Sequence, residues 1–132
     1  MDDLSLVGII VAALAFFFLG AAWYSFLFRK PWADDMGYTK DMPGNPQSPG
    51  AGLLIGSLVA ALVLALSTAW LVGAGGAGEG AKVGLAIGAV SAAIMGQNAL
   101  YDNRPTRLWL INAGYAFVGA IMVGVICGAF QG

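Results

Sequence analysis

Four long apolar stretches separated by short polar ones dominate the chain. Residues 4–28 and 108–132 each run 25 positions without a charge, and residues 83–101 run 19. A further uncharged stretch covers 42–78, where Pro43, Pro46 and Pro49 confine the helical part to about 50–73. A helix needs about 20 apolar residues to cross the hydrocarbon of a bilayer. Strands of a membrane barrel are only about 9–11 residues long and alternate in polarity, and nothing here alternates. Inside lipid every backbone N–H and C=O must be paired within the chain, so apolar runs of this length are helices. The pattern predicts an all-α, four-helix transmembrane bundle with helices at about 4–28, 50–73, 83–101 and 108–130, running up-down-up-down. Residues 1–132 then form a single integral membrane domain.

The connections are short. The first, 29–49, is polar, and the Lys30-Pro31 step ends the first helix because a residue before proline is pushed out of the α region. The second, 73–82, is rich in glycine and reads as a flexible turn. The third, 102–107, is tight. Pro105 suits a first helical turn, with Asn103 or Thr106 as its cap, so helices three and four form an antiparallel hairpin.

Charge sets the orientation. The connections 29–49 and 102–107 carry Arg29, Lys30, Lys40, Arg104 and Arg107, and the opposite side carries only Lys82. Short loops rich in Lys and Arg stay in the cytoplasm. Both termini are therefore expected on the non-cytoplasmic side of the membrane, with 29–49 as a cytoplasmic connection. Asp2 and Asp3 precede the first apolar run, which exceeds the 7–15 residues of a signal-peptide core, so an uncleaved helix is expected. Trp32 and Trp109 are expected at the cytoplasmic headgroup level and Trp70 near the opposite one.

Composition narrows the chemistry. Charged residues make up 10% of the chain, histidine is absent, and Cys127 is the only cysteine. Imidazole catalysis and an intrachain disulfide are excluded. Six Lys/Arg against seven Asp/Glu leave no basic surface for nucleic acid. No carboxylate lies deep in a span, which disfavours coupled cation export. Asp34, Asp35 and Asp41 have the oxygen ligands that Mg²⁺ or Ca²⁺ takes, but an adjacent pair of aspartates reads first as a solvated loop. No metal, no cofactor and no enzymatic activity are expected.

Small residues recur every four positions in three helices. Gly80, Gly84, Gly88, Ala92 and Gly96 do so in the third, Ala116, Ala120, Gly124 and Gly128 in the fourth, and Ala61, Ala65, Ala69 and Gly73 in the second. Such stripes let helix backbones approach closely where lipid offers no hydrophobic contrast. They fit packing inside one bundle, an interface between copies of the chain, or both.

Polar residues collect toward one end. Ser91, Asn98 and Asp102 share a face of the third helix and Gln97 flanks it. Asn112 and Tyr115 share a face of the fourth. Trp23, Tyr24 and Ser25 lie near the end of the first, with Asn103 and Arg104 in the adjoining connection. One reading is a cross-helix hydrogen-bond network with an Asp102–Arg104 or Asp102–Arg107 ion pair. The other is a polar vestibule or ligand site, with Arg104 and Arg107 available to an anionic lipid head group.

The stretches FFFLGAAWYSFLFRKPWADDMG (16–37) and ALYDNRPTRLWLINAGYAFVGAIMVGVICGAF (99–130) resemble the opening and closing signatures of the bacterial membrane proteins grouped as domain-of-unknown-function family 1761. The shared elements are Gly20, Trp23, Tyr24, Phe28, Lys30, Trp32 and Gly37, then Asn103, Arg104, Pro105 and the block Leu110–Tyr115. The resemblance implies a small four-helix membrane protein and brings no established activity. It marks Trp23, Tyr24, Asn103, Arg104, Asn112 and Tyr115 as a shared site.

The expected function is that of a non-catalytic membrane protein, an oligomeric or accessory subunit whose partners are membrane lipids and either further copies or another membrane protein. The alternative is a small channel or carrier for a neutral or anionic solute, lined by Ser91, Gln97, Asn98, Asn112 and Tyr115. That alternative needs a polar path through the far half of the bundle, where only Ser57, Ser67 and Thr68 are candidates.

Overall fold

The computed structural model describes residues 4–24 and 51–132. Among the described residues the chain is all-helical, with α1 (Leu6–Ala22), α2 (Ala51–Val72), α3 (Gly76–Tyr101) and α4 (Thr106–Gln131). Helices α2, α3 and α4 are long and apolar enough to cross a membrane. Helix α1 contributes 17 apolar residues, at the lower end of a spanning length, and runs on into a π-type turn at Trp23 and Tyr24. Ser25, Arg29, Lys30, Trp32, Asp34, Asp35, Lys40 and Asp41 lie outside the described residues, as does the whole connection 29–49.

Helix α4 is the central element and packs on all three others, most extensively on α3. The register follows from paired residues. Gly80 meets Gly124, Gly84 meets Ala120 and Gly88 meets Phe117, so α3 and α4 are antiparallel. Ser5 bonds Gln131 and Trp23 bonds Ile111, so α1 and α4 are antiparallel too. Cys127 meets Ala65 and Gln131 meets Ala69, which sets α2 parallel to α4. The bundle therefore runs up-down-up-down as the spans predict.

The interior is built from small side chains. Ile9, Ala12 and Ala13 of α1, Ala61, Ala65 and Ala69 of α2, and Val123 and Cys127 of α4 form one buried cluster. Bulky residues such as Leu6, Ile55, Val63 and Val90 face outward. This inverts the usual soluble arrangement and suits lipid, where association rests on close backbone approach rather than on hiding apolar area. All three small-residue stripes are engaged within the chain: those of α3 and α4 against each other, that of α2 against α1 and α4.

Helix α3 departs from expectation at its start. The glycine-rich stretch expected as a flexible turn is helical from Gly76 onward, and only Gly73, Ala74 and Gly75 connect α2 to α3. The cause is tertiary. A Cβ at Gly128 would collide with the carbonyl of Gly76, and one at Gly80 with the carbonyl of Gly124. Glycine costs a helix about 1 kcal/mol of propensity, but here it lets two backbones touch, and that contact holds the first turns of α3 in place. Gly73 and Gly76 have φ of +56° and +83°, which glycine adopts without a steric penalty.

At the other end, Asn103 closes α3. Its φ is +54°. The Arg104 N–H donates to the Ala99 carbonyl at 3.0 Å and the Asn103 N–H to the Leu100 carbonyl at 3.3 Å. This is a Schellman cap, with asparagine in the left-handed position usually held by glycine. Neither Asn103 nor Thr106 caps α4; Pro105 precedes its first turn without a side-chain hydrogen bond.

Candidate functional site

The polar residues gathered by sequence separate into two neighbouring arrangements that share Asn112. The first is a lock between α1 and α4. The Trp23 indole N–H donates to the Ile111 carbonyl at 2.9 Å. The Tyr24 hydroxyl donates to Asn112 Oδ1 at 2.8 Å. The Tyr115 hydroxyl donates to the Phe16 carbonyl at 3.1 Å. The Tyr115 ring stacks on Phe16 with centroids 4.7 Å apart and takes Tyr24 edge-on at 5.4 Å.

Glycines make the room. A Cβ at Gly114 would lie 3.1 Å from the Trp23 ring, and one at Gly20 would lie 2.8 Å from the Tyr115 hydroxyl. Each aromatic therefore sits over a glycine on the opposite helix. Gly20, Trp23, Tyr24, Asn112, Gly114 and Tyr115 are thus one contact, although about 90 positions separate its halves in the chain. Cross-helix hydrogen bonds in membranes are worth about 0.6 kcal/mol each, and aromatic pairs add about 0.5–1.5 kcal/mol. The lock fixes the angle at which α1 meets α4.

The second arrangement is a cleft of about 250 Å³ between the C-terminal turns of α3 and the N-terminal turns of α4. Met95, Ala99, Leu108 and Trp109 form its apolar lining; Asn98, Asp102, Arg104 and Asn112 form its polar one. Trp109, expected as a headgroup anchor, is half-buried against α3. Its indole N–H donates to the Ala92 carbonyl at 3.0 Å, over the notch left by Gly96. The ring is thereby held as a wall of the cleft. Trp70 is exposed near the opposite end of the bundle, as an anchor requires.

The expected Asp102–Arg104 or Asp102–Arg107 ion pair is not formed. Among the described residues the only ion pair joins Lys82 and Glu79, one turn apart near the start of α3. The Asp102 carboxylate and the Asn98 amide both line the cleft, and neither has a hydrogen-bond partner in its side chain among the described residues. Gln97 stands apart, exposed on a different face of α3. Asn103 acts through its backbone as the helix cap. Of the packing residues, Gly84, Gly88, Ala120, Gly124 and Gly128 hold α3 against α4 by backbone contact, while Ala92 and Gly96 seat the Trp109 indole.

One polar residue escaped the sequence reading. Gln131 closes the far end of the bundle, donating to the carbonyls of Ala69 at 2.9 Å and Gly73 at 2.8 Å and accepting from the Ser5 N–H at 3.2 Å. It joins α1, α2 and α4 through one amide. Its place at the last turn of α4 reads as solvent-facing, and only the convergence of three helix ends makes it internal. Below it the bundle is closed by Ala61, Ala65, Ala69, Val123 and Cys127. Thr68 is fully buried, and Ser57 and Ser67 face outward.

The chain matches the family described as Protein of unknown function (DUF1761) over residues 7–128, and it belongs to that family. The match takes in both halves of the α1–α4 lock and the whole of the cleft. No curated protein and no solved structure matches the chain.

Proposed function

We propose that this member of the DUF1761 family is a non-catalytic membrane subunit that works by associating with other membrane-embedded chains, further copies of itself first among them. The observation that carries this reading is Gln97. It shares an outward face of α3 with Val90, Ala93, Ile94 and Tyr101, all exposed, and among the described residues its amide has no partner. Lys82 and Asp102 bound 19 uncharged residues of α3, which span about 29 Å, close to the thickness of the hydrocarbon. Gln97 then lies about 7 Å inside that boundary. A primary amide facing lipid there is costly. A matching amide on a neighbouring chain relieves that cost, as polar side chains do between membrane helices.

A conduit through one chain draws no support from the far half, where small side chains pack closed beneath Gln131. The asymmetry of Lys and Arg supports an orientation with both termini on the non-cytoplasmic side, and the resemblance to bacterial membrane proteins supports a bacterial cytoplasmic membrane. The test is the mass of the complex extracted in mild detergent, with copurifying chains identified by mass spectrometry. A dimer or larger assembly, or a defined complex with another membrane protein, is expected, and Gln97→Leu should shift it toward the single chain. A wild-type protein that runs as a lone chain with no protein partner overturns the reading.

A further inference from the structure

We infer that two copies of the chain pair in parallel and in register across α3, along a seam of Val83, Ile87, Val90, Ile94, Gln97 and Tyr101. The inference rests on the proposed association of copies and adds its face, direction and register.

Helix α3 has two unlike faces. Gly80, Gly84 and Gly88 are buried against α4. On the side turned away from α4, the seam residues follow one another at alternating steps of four and three positions. Such steps average 3.5 residues, the repeat that keeps one stripe of a helix against a partner through a left-handed crossing. Val90, Ile94 and Tyr101 are 60%, 56% and 84% exposed. Gln97 is exposed too, and Val83 and Ile87 are half-buried. The small-residue stripes do not compete for this role, because all three are engaged within the chain.

Two properties separate the seam from plain lipid-facing surface. The first is its side chains. Val83, Ile87, Val90 and Ile94 are β-branched, whereas the outer surface of α2 shows Leu53, Leu58, Leu62 and Leu66. A β-branched side chain in a helix is already held to one rotamer, so fixing it in an interface costs little entropy. The second is the Gln97 amide, which has no partner among the described residues. It carries both donors and an acceptor, so it is complementary to its own copy.

Gln97 also sets direction and register. It lies about 7 Å inside one end of the uncharged part of α3. In a parallel pair the two amides share one depth and meet across the seam. In an antiparallel pair they would stand roughly 15 Å apart in depth, out of reach. Copies inserted under the same asymmetry of Lys and Arg face the same way. A slip of one heptad would set the amide against Val90, and a polar residue at one seam position fixes register for that reason. One self-complementary face per chain closes at two copies.

Disulfide trapping in native membranes tests the seam. Single cysteines are placed in the full-length Cys127→Ala chain, with Cys127→Ala itself as the baseline. Val90→Cys and Ile94→Cys should form disulfide-linked dimers on oxidation. Leu85→Cys and Val59→Cys, exposed on another face of α3 and on α2, should remain single chains. Adding Gln97→Leu to Val90→Cys should reduce the linking, and Gln97→Asn, which keeps the amide, should preserve it. The mass in mild detergent separates this inference from the reading beneath it. An assembly of copies that links no better at Val90→Cys and Ile94→Cys than at Leu85→Cys overturns the seam and leaves the association standing. Seam linking unchanged by Gln97→Leu also overturns the inference. A lone chain in detergent that fails to link in the membrane overturns both.

Discussion

Gly84→Ala adds one methyl group at the closest approach of α3 to α4. The new Cβ would sit 2.6 Å from Ile121 Cα and 2.8 Å from the Ala120 carbonyl carbon, with the Ala120 oxygen closer still. All three are backbone atoms, so no rotamer change relieves the clash. Ordinary carbon contacts lie at about 3.5–4.0 Å, so the helices must separate by roughly 1 Å. A gap of that size forfeits a quarter to a half of each dispersion contact along the stripe. Overpacking of this kind costs about 1–3 kcal/mol, while replacing glycine by alanine in a helix returns up to about 1 kcal/mol of propensity. The net expectation is a loss of about 1–2 kcal/mol. Gly56→Ala in α2 is the control, because nothing lies within 4 Å of its added Cβ and only the propensity gain remains. The single cysteine provides the assay: Cys127 is fully buried, so a thiol-reactive fluorophore in a thermal ramp reports its exposure on unfolding. Gly84→Ala should expose Cys127 at a lower temperature than the wild type, and Gly56→Ala at the same or a higher one. If both substitutions lower the transition equally, the stripe serves chain flexibility rather than helix contact, and the packing argument fails.

Tyr24→Phe and Asn112→Leu should each destabilise the protein modestly, with a coupling in the double mutant of about 0.6 kcal/mol; strictly additive transitions would dissolve the lock into independent contacts. Asn103→Gly should be neutral or stabilising and Asn103→Val destabilising by about 1–2 kcal/mol, since only the latter resists φ of +54°; the same thermal assay reads both, and equal effects would argue for a side-chain role. Gln131→Leu removes three hydrogen bonds that tie α1, α2 and α4. Labelling of Cys127, one turn away, should then accelerate in the intact bilayer, and an unchanged rate would mean that the alanine packing closes this end unaided.

The helices were legible because the lipid imposes a simple rule on length and charge. Their positions follow from where charge and proline interrupt the apolar runs; α2 and α4 match closely, as does the start of α1, whose expected end lies outside the described residues. The start of α3 did not, because glycine-rich sequence suggests a flexible turn unless a second backbone is there to meet it. The site was half legible. Tyr24 with Asn112, and Asn98 with Asp102, do stand together, but what read as one cluster is two. Helical spacing places residues on a face without saying which neighbour the face meets. Gln131 was missed, and the contact of Trp109 with α3 was not foreseen, for that reason: each sits at a helix end, where solvent or head groups are the default partner, and each bonds a neighbouring helix.

What this chain's sequence determines alone is that the described residues form four long apolar helices, with their approximate limits. Hydrocarbon thickness and the need to pair every backbone group leave no alternative. Tertiary structure decides the rest: that α4 is central, that the three small-residue stripes are spent inside the bundle, and that the polar residues divide into an aromatic lock and a cleft. In a membrane both faces of a helix are apolar, so the periodicity that orients a helix in water is missing. Which face turns inward is settled only when glycine on one helix meets backbone or an aromatic ring on the next.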